Sequence, residues 1–143
     1  FYGILSHFFK DEENARVARA YDTLAELEIT HMAHNLTSEL SGGQSKLVDI
    51  GRALMGEPEL LLLDEPVAGV AGPLAEKIFN NLRRIVSKEG ISIFVIEHNM
   101  DFILRRGVDR IIVMDQGKVL MQGTPDEVKD SKEVIEAYLG VAT

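Results

Sequence analysis

Cysteine is absent from this sequence, which excludes a disulfide framework and a thiolate metal site and suits a reducing compartment such as the cytoplasm. Long apolar runs are also missing: the longest, residues 60–63 and 91–96, are far too short to cross a bilayer. Positive charge is scarce, with 15 lysines and arginines against 23 acidic residues and a formal net charge of -8. Because this balance repels a polyphosphate backbone, we expect no nucleic-acid partner, and any anion site must be local.

The residues that are present suit one globular domain with its own core, since 45% are hydrophobic and 27% are charged. The chain begins with Phe1 rather than methionine, and no basic region precedes an apolar core at this end. These features predict neither a signal peptide nor a natural start, so we expect an excised fragment.

Hydrophobic spacing predicts an alternation of helices and strands. Apolar residues recur at helical intervals in residues 11–28, 41–55 and 74–88, and three acids stand at the predicted positive end of the first helix. The apolar runs suit strands buried on both faces, and residues 110–121 suit a hairpin. This order favours a mostly parallel α/β sheet with an antiparallel edge.

Ser41, Gly42, Gly43 and Gln44 stand where the second helix is predicted to begin. Ser41 occupies the cap position and Gln44 follows three residues later, which is the pattern of a capping box. The glycines lack Cβ atoms, so backbone N–H groups can approach a ligand closely, and the helix dipole favours an anion. An ordinary capped helix with a flexible entry has the same pattern, and this motif alone leaves both interpretations open.

Asp64 and Glu65 directly follow the first apolar run. A carboxylate at the carboxyl end of a parallel strand faces the crevice where α/β sheets bind ligands, so Asp64 is placed to hold a hydrated Mg²⁺. Glu65 lies one residue nearer the ligand and can orient or deprotonate a water molecule. Both residues can equally be surface acids at a strand end, and the string by itself does not decide between these alternatives.

His98 follows the second predicted strand just as Asp64 follows the first. Because parallel strands end at one edge of a sheet, the two residues would converge on one crevice. A histidine there can donate a hydrogen bond to a phosphate oxygen and to the attacking water. A single histidine after a strand is more often a surface residue.

Residues 40–44, residues 60–66 and His98, in this order and at these separations, closely resemble the C-terminal half of ABC transporter nucleotide-binding domains. The resemblance covers nearly the whole chain. It implies a P-loop NTPase-like α/β fold, with a mostly parallel sheet and flanking helices, joined to part of the ABC helical subdomain and truncated at the N-terminus. The implied regions are a helical and signature region at residues 1–56, a catalytic core at 57–122 and a C-terminal helical tail at 123–143.

In that family the signature motif contacts the γ-phosphate of ATP bound to the opposite subunit, because subunits dimerise head to tail around two ATP molecules. The resemblance assigns this motif to Leu40, Ser41, Gly42, Gly43 and Gln44. It implies that Asp64 supports Mg²⁺, that Glu65 polarises the attacking water and that His98 bridges this water and the γ-phosphate. The reaction would be in-line phosphoryl transfer to water, catalysed by positioning and charge stabilisation.

Within the family the finer resemblance is to the ATPases of branched-chain amino acid importers, and related urea importers look much the same. It rests on residues 67–70, 123–128 and 134–140. Such a subunit uses ATP and Mg²⁺, pairs with a second ATP-binding subunit and docks on transmembrane permease subunits, which a solute-binding protein serves. We therefore expect a cytoplasmic protein that is peripheral on the inner face of the cell membrane.

Several departures from the family pattern affect the expected activity. The phosphate-binding loop G-x-x-x-x-G-K-[ST] is absent, since the only Gly-Lys pair, Gly117-Lys118, is followed by valine in the predicted hairpin. No glutamine precedes Gln44, Ala71 stands where most members have the D-loop aspartate, and Ser45-Lys46 replaces the usual continuation of the signature. Because the phosphate loop supplies most of the grip on the β- and γ-phosphates, we expect no ATP hydrolysis by this chain alone.

Two other functions stay open at this point. ABC-type ATPases of DNA repair and chromosome maintenance carry a related signature and the same pair of acids as Asp64 and Glu65. Long helices with heptad repeats flank the heads of those proteins, and no such heptads occur in this sequence. A non-catalytic regulatory module could keep the same scaffold, but it has no chemical need for Asp64, Glu65 and His98 together. An α/β domain with coincidental motifs is the remaining alternative.

Overall fold

The computed structural model of the chain describes residues 2–139 and, within that range, all side chains except those of residues 2–9, Asp101 and Leu139. Two compact units divide the chain, one formed by residues 1–96 and the other by residues 97–143. The regions predicted with boundaries near residues 56 and 122 stay a prediction. Gly140, the last residue of the predicted tail pattern, lies outside the described residues.

The first unit begins with a long helix and contains the parallel strands. Its elements are, in order, α1 (Tyr2–Glu26), short 3-10 helices at Thr30–Met32 and Thr37–Glu39, α2 (Gly42–Leu54), β1 (Leu60–Asp64), α3 (Gly72–Glu89) and β2 (Ser92–Ile96). Helix α1 starts well before residue 11, because no proline interrupts the preceding sequence. The acids at residues 11–13 therefore lie within the helix, and the expectation that they occupy its positive end is wrong.

Strands β1 and β2 pair in parallel, in the register that sets Leu62 opposite Phe94. One face of this sheet packs against the helices of the unit, and Leu61 on that face is only 6% exposed. The other face, which we call the open face, carries Leu60, Leu62, Phe94 and Ile96 with exposed fractions of 54%, 68%, 49% and 55%. The expectation of strands buried on both faces is therefore wrong, because the core of the unit lies on one side of the sheet.

Helix α3 fixes the end of α1 through polar contacts. Asn81 Nδ2 donates a hydrogen bond to the Leu27 carbonyl at 3.0 Å, and both atoms are buried. Arg84 Nη1 and Lys77 Nζ each approach the Glu28 carboxylate to 3.1 Å. Because a buried carbonyl without a partner destabilises a fold, the Asn81 contact determines how the two helices join.

The second unit is built around a hairpin. Its elements are α4 (Met100–Leu104), β3 (Ile111–Asp115), β4 (Lys118–Gly123), α5 (Pro125–Lys129), α6 (Lys132–Val134) and a π-helical turn (Ile135–Leu139). The predicted hairpin is confirmed, but among the described residues it forms an antiparallel sheet of its own, so the expectation that it is an edge of the parallel sheet is wrong. Its turn residues, Gln116 and Gly117, have φ of 47° and 78°, as a tight two-residue hairpin turn requires. Across the described residues of both units, we find no helix with the length and apolar character that crossing a bilayer requires.

Candidate functional site

Helix α2 begins at the predicted capping box, which is confirmed. Ser41 Oγ accepts a hydrogen bond from the Gln44 N–H at 3.3 Å, and Gln44 Oε1 accepts one from the Ser41 N–H at 2.8 Å. Leu40, just before the cap, is half-buried. Gly42 is exposed, and a Cβ there would meet nothing within 4 Å. Since first-turn N–H groups have no partner inside a helix, this helix start can receive an anionic ligand.

Gly43 is buried where the start of α2 meets the segment that leads into α3. A Cβ at this position would stand 2.3 Å from Leu74 Cδ2 and 3.2 Å from Val70 Cγ1. A Cβ at this position would require the Leu74 and Val70 side chains to shift, so the absence of a Cβ lets α2 pack closely on this segment. The contact gives Gly43 a packing role that sequence reasoning missed.

Glu65 lies directly after β1 in a left-handed backbone conformation, with φ of 46°. Its N–H donates a hydrogen bond to the Ile96 carbonyl at 2.9 Å, and its own carbonyl accepts one from the Ala68 N–H at 3.1 Å. The same carbonyl accepts a second hydrogen bond, from Lys46 Nζ on α2, at 2.9 Å. Three hydrogen bonds therefore hold the turn that carries this half-buried glutamate.

Asp64 ends β1 with an exposed side chain. It lines a cleft of about 290 Å³ between α2 and β1, together with Lys46 and Asp49 from the helix. Among the described residues, no cluster of three or more histidine, aspartate or glutamate side chains is suited to hold a metal ion. A single carboxylate nevertheless fits Mg²⁺, because this ion keeps several water ligands and binds substrate phosphates as well. Asp64 therefore suits an ion that arrives with a nucleotide.

His98 belongs to the second unit, where it lies in the segment before α4 with an exposed side chain. The next residue, Asn99, caps α4 by accepting a hydrogen bond from the Phe102 N–H at 3.0 Å. Within the first unit, Lys46 of α2 contacts the turn at Glu65. The predicted convergence of His98 on Glu65 stays a prediction.

Ala71 occupies the N-cap of α3, at the position where the family pattern has an aspartate. Its backbone is extended, with φ of -61° and ψ of 143°, but its side chain makes no capping hydrogen bond. The Leu74 and Ala75 N–H groups instead donate to the Ala71 carbonyl, each at 3.0 Å. Helix α3 therefore starts without the side-chain acceptor that most N-caps supply.

Two family models match separate parts of the chain. The model described as ABC transporter matches residues 5–68, a range that includes the start of α2, Asp64 and Glu65. The model described as branched-chain amino acid ATP-binding cassette transporter matches residues 118–143. The two matches, one in the first half of the chain and one at its C-terminal end, therefore both point to ATP-binding cassette transporters.

Curated relatives match along most of the chain. The probable branched-chain amino acid transport ATP-binding protein LivG of Methanocaldococcus jannaschii is 40% identical over 133 residues, which are 90% of this chain and 51% of the relative. The high-affinity branched-chain amino acid transport ATP-binding protein BraF of Pseudomonas aeruginosa is 32% identical, over 94% of this chain and 52% of the relative. The chain thus spans about half the length of the curated relatives it matches.

Solved structures confirm the expected fold class. The ADP conformation of MJ1267, an ATP-binding cassette of an ABC transporter, has a TM-score of 0.78 at 39% identity and covers 88% of this chain and 50% of that chain. The cbiO1 protein of Clostridium perfringens, part of the ABC transporter complex cbiONQ, has a TM-score of 0.77 at 35% identity, with coverages of 87% and 49%.

Proposed function

This chain belongs to the ABC transporter family of ATP-binding proteins, and from that premise we propose that it is the part of an ATPase subunit that carries the signature motif and the hydrolytic carboxylate. The subunit powers an importer whose solutes are branched-chain amino acids. The match at residues 118–143 and the names of the similar relatives support a transport ATPase over an ATPase of DNA repair.

One observation carries the proposal, namely the way in which Glu65 is held. Its backbone adopts a left-handed φ, and its two peptide groups are hydrogen-bonded to β2, to the following turn and to α2. The bond to β2 continues the ladder of the sheet, but a surface acid at a strand end needs neither the left-handed φ nor the bond from Lys46. A general base needs them, because its carboxylate must stay within hydrogen-bond reach of one water molecule.

The proposed reaction is ATP hydrolysis by in-line displacement. Glu65 accepts a hydrogen bond from the attacking water and directs its oxygen toward the γ-phosphorus. The bond from water to phosphorus forms as the bond to the ADP oxygen breaks, and the water proton passes to Glu65 or to the departing phosphate. His98 steadies the water and a γ-phosphate oxygen. Asp64 would hold Mg²⁺, which would supply positive charge against the charge of the phosphate groups.

The signature motif acts on the nucleotide of a second ATP-binding subunit in this proposal. Ser41 and the open helix start at Gly42 donate hydrogen bonds to the γ-phosphate across a head-to-tail dimer, while the capping box keeps the helix start rigid. Transmembrane permease subunits and a solute-binding protein complete the assembly. The subunit is cytoplasmic and peripheral on the inner face of the cell membrane.

The chain alone is proposed to hydrolyse no ATP. Its sequence holds no phosphate-binding loop and spans about half the length of the relatives. Without those backbone amides and that lysine, the triphosphate lacks most of its binding contacts.

The test compares Mg²⁺-dependent ATP hydrolysis by four proteins: the full-length ATPase that contains this chain, its Glu65→Gln and Glu59→Gln variants, and the chain alone. We expect turnover in the full-length protein and in Glu59→Gln, which alters an exposed acid just before β1. We expect a loss of about a hundredfold or more in kcat for Glu65→Gln and no turnover by the chain. Normal hydrolysis by Glu65→Gln would remove the catalytic assignment, and turnover by the chain alone would refute its proposed inactivity.

A further inference from the structure

We propose that Lys46 is a positioning residue for ATP hydrolysis, which keeps the Glu65 carboxylate in place through the Glu65 backbone. This inference rests on the proposed function of Glu65 as the group that activates water. Lys46 follows the signature motif by two residues, on the same helix. In the proposed dimer, the start of α2 contacts the nucleotide of the second subunit, and Glu65 acts on the nucleotide of its own subunit. Lys46 therefore links α2 to the turn that carries Glu65.

The contact is a direct hydrogen bond between two distant parts of the chain. Lys46 Nζ donates to the Glu65 carbonyl at 2.9 Å, in a partly buried environment at the cleft between α2 and β1. The helix that carries Lys46 is itself fixed, because Leu47 and Ile50 beside it are buried in the core. The Lys46 ammonium group is therefore attached to a helix that the core holds in place.

The bond from Lys46 helps to hold a turn whose backbone is strained at Glu65. A residue with a side chain rarely adopts a φ of 46° unless the surrounding structure enforces it. The Ala68 N–H occupies one acceptor site of the carbonyl and Lys46 Nζ occupies a second. A charged donor binds a carbonyl more strongly than a neutral one does, so Lys46 contributes a large share of the restraint.

Loss of the ammonium group would loosen the turn without touching any group that binds the nucleotide. A relaxed backbone at Glu65 would move its carboxylate away from the attacking water. Because misplacement by about 1 Å can slow a reaction by about a hundredfold, the effect should fall on kcat rather than on nucleotide binding.

The first experiment measures amide hydrogen exchange in this chain. Lys46→Met removes the ammonium group and keeps an unbranched stem, and Lys129→Met makes the same change at an exposed lysine of α5. We expect the Ala68 amide to exchange about tenfold faster in Lys46→Met only, while amides in the middle of α3 keep their wild-type rates. An unchanged Ala68 rate would overturn the proposal, because Lys46 would then not hold the turn.

The second experiment measures kcat and KM for ATP in the full-length ATPase. We expect Lys46→Met to lower kcat about tenfold with KM within about twofold, and Lys46→Arg, which keeps a charged donor, to recover most of the loss. Lys129→Met should match the wild type. On a Glu65→Gln background, Lys46→Met should have no further effect, because Lys46 acts only through Glu65.

The outcomes separate this inference from the proposed function. An unchanged kcat in Lys46→Met, a change confined to KM, or a full additional loss on the Glu65→Gln background would each overturn the positioning role. If the wild-type ATPase did not hydrolyse ATP, the proposed function would fail, and the exchange rate of the Ala68 amide would still decide whether Lys46 holds the turn.

Discussion

Gly42 and Gly43 stand side by side at the start of α2 but meet different surroundings. A Cβ added to Gly43 would stand 2.3 Å from Leu74 Cδ2, whereas one added to Gly42 would meet nothing within 4 Å. We expect Gly43→Ala to lower the free energy of unfolding by about 1–3 kcal/mol through overpacking. Gly42→Ala should keep or raise it, because alanine favours the helix. Urea unfolding of both variants checks this, and equal stabilities would show that the Leu74 side chain moves aside for the new methyl group.

At this scale the sequence predicted local bonds better than distant contacts. The capping box of Ser41 and Gln44 spans three residues, so the spacing of the motif is sufficient to predict it. The bond from Lys46 to Glu65 joins residues 19 apart in sequence. A lysine on a helix is usually a solvated cation, and nothing in the local pattern distinguishes Lys46 from such a residue.

At the scale of elements, a substitution at Ala71, the N-cap of α3, can stabilise the protein, because its side chain accepts no hydrogen bond. Ala71 already has the extended backbone of an N-cap, and only its side chain lacks an acceptor. We expect Ala71→Asp to raise the free energy of unfolding by about 1 kcal/mol, because its carboxylate can accept a hydrogen bond from the first turn and faces the positive end of the helix dipole. Thermal unfolding of Ala71→Asp and Ala71→Leu measures this gain. Equal melting temperatures would show that the Leu74 N–H keeps its bond to the residue 71 carbonyl and does not serve the new acceptor.

The ion pairs between α3 and Glu28, which lies just after α1, predict how stability depends on pH. Hydrogen bonds from Lys77 and Arg84 lower the pKa of Glu28 below its ordinary value of 4.5. Because the folded pKa lies below the unfolded one, the contribution is complete above the ordinary value and is lost as the pH falls through the folded pKa. We expect the free energy of unfolding to fall less steeply between about pH 5 and pH 3 in Glu28→Gln than in the wild type. The difference should be small, because the Glu28 carboxylate is exposed.

Urea unfolding across this pH range measures the difference between the wild type and Glu28→Gln. Glu13→Gln, which changes an exposed acid on α1 that has no part in these ion pairs, is the matched control. Parallel curves for the wild type and Glu28→Gln would mean that the two cations do not affect stability through Glu28.

The sequence predicted the existence and order of elements, but not all their ends or their burial. The apolar runs predicted both parallel strands, and α3 ends at Glu89, one residue beyond the predicted range of 74–88, where Gly90 adopts a φ of 70°. The start of α1 was missed because amphipathic spacing weakens ahead of residue 11 although nothing there breaks a helix. Burial on both faces was expected because a continuous apolar run does not reveal what covers it.

At the scale of the whole molecule, the open face of the first unit predicts how the chain behaves in solution. Leu60, Leu62, Phe94 and Ile96 form adjoining apolar positions on two paired strands. Contiguous apolar surface of this kind promotes association, whereas single exposed apolar residues do not. We expect the chain to associate with itself in sedimentation velocity as its concentration rises, and the double variant Leu62→Ser with Phe94→Ser to associate less.

The matched control is Val17→Ser, which removes an exposed apolar side chain from α1. It should sediment as the wild type does. If the double variant associated as strongly as the wild type, another surface would be responsible for the contact between copies.

If Glu65 acts as proposed, its strained backbone in the full-length ATPase favours turnover at the expense of thermal stability. A non-glycine residue with φ of 46° costs about 1 kcal/mol or more, and glycine or asparagine relieves that strain. A mutant library selected for heat resistance alone would therefore enrich Glu65→Gly and Glu65→Asn, and each enriched clone would lose its carboxylate. Selection for growth on a transported solute would push the same position back to glutamate. Run in parallel, the selection for heat resistance would favour glycine or asparagine at position 65, and the selection for growth would favour glutamate.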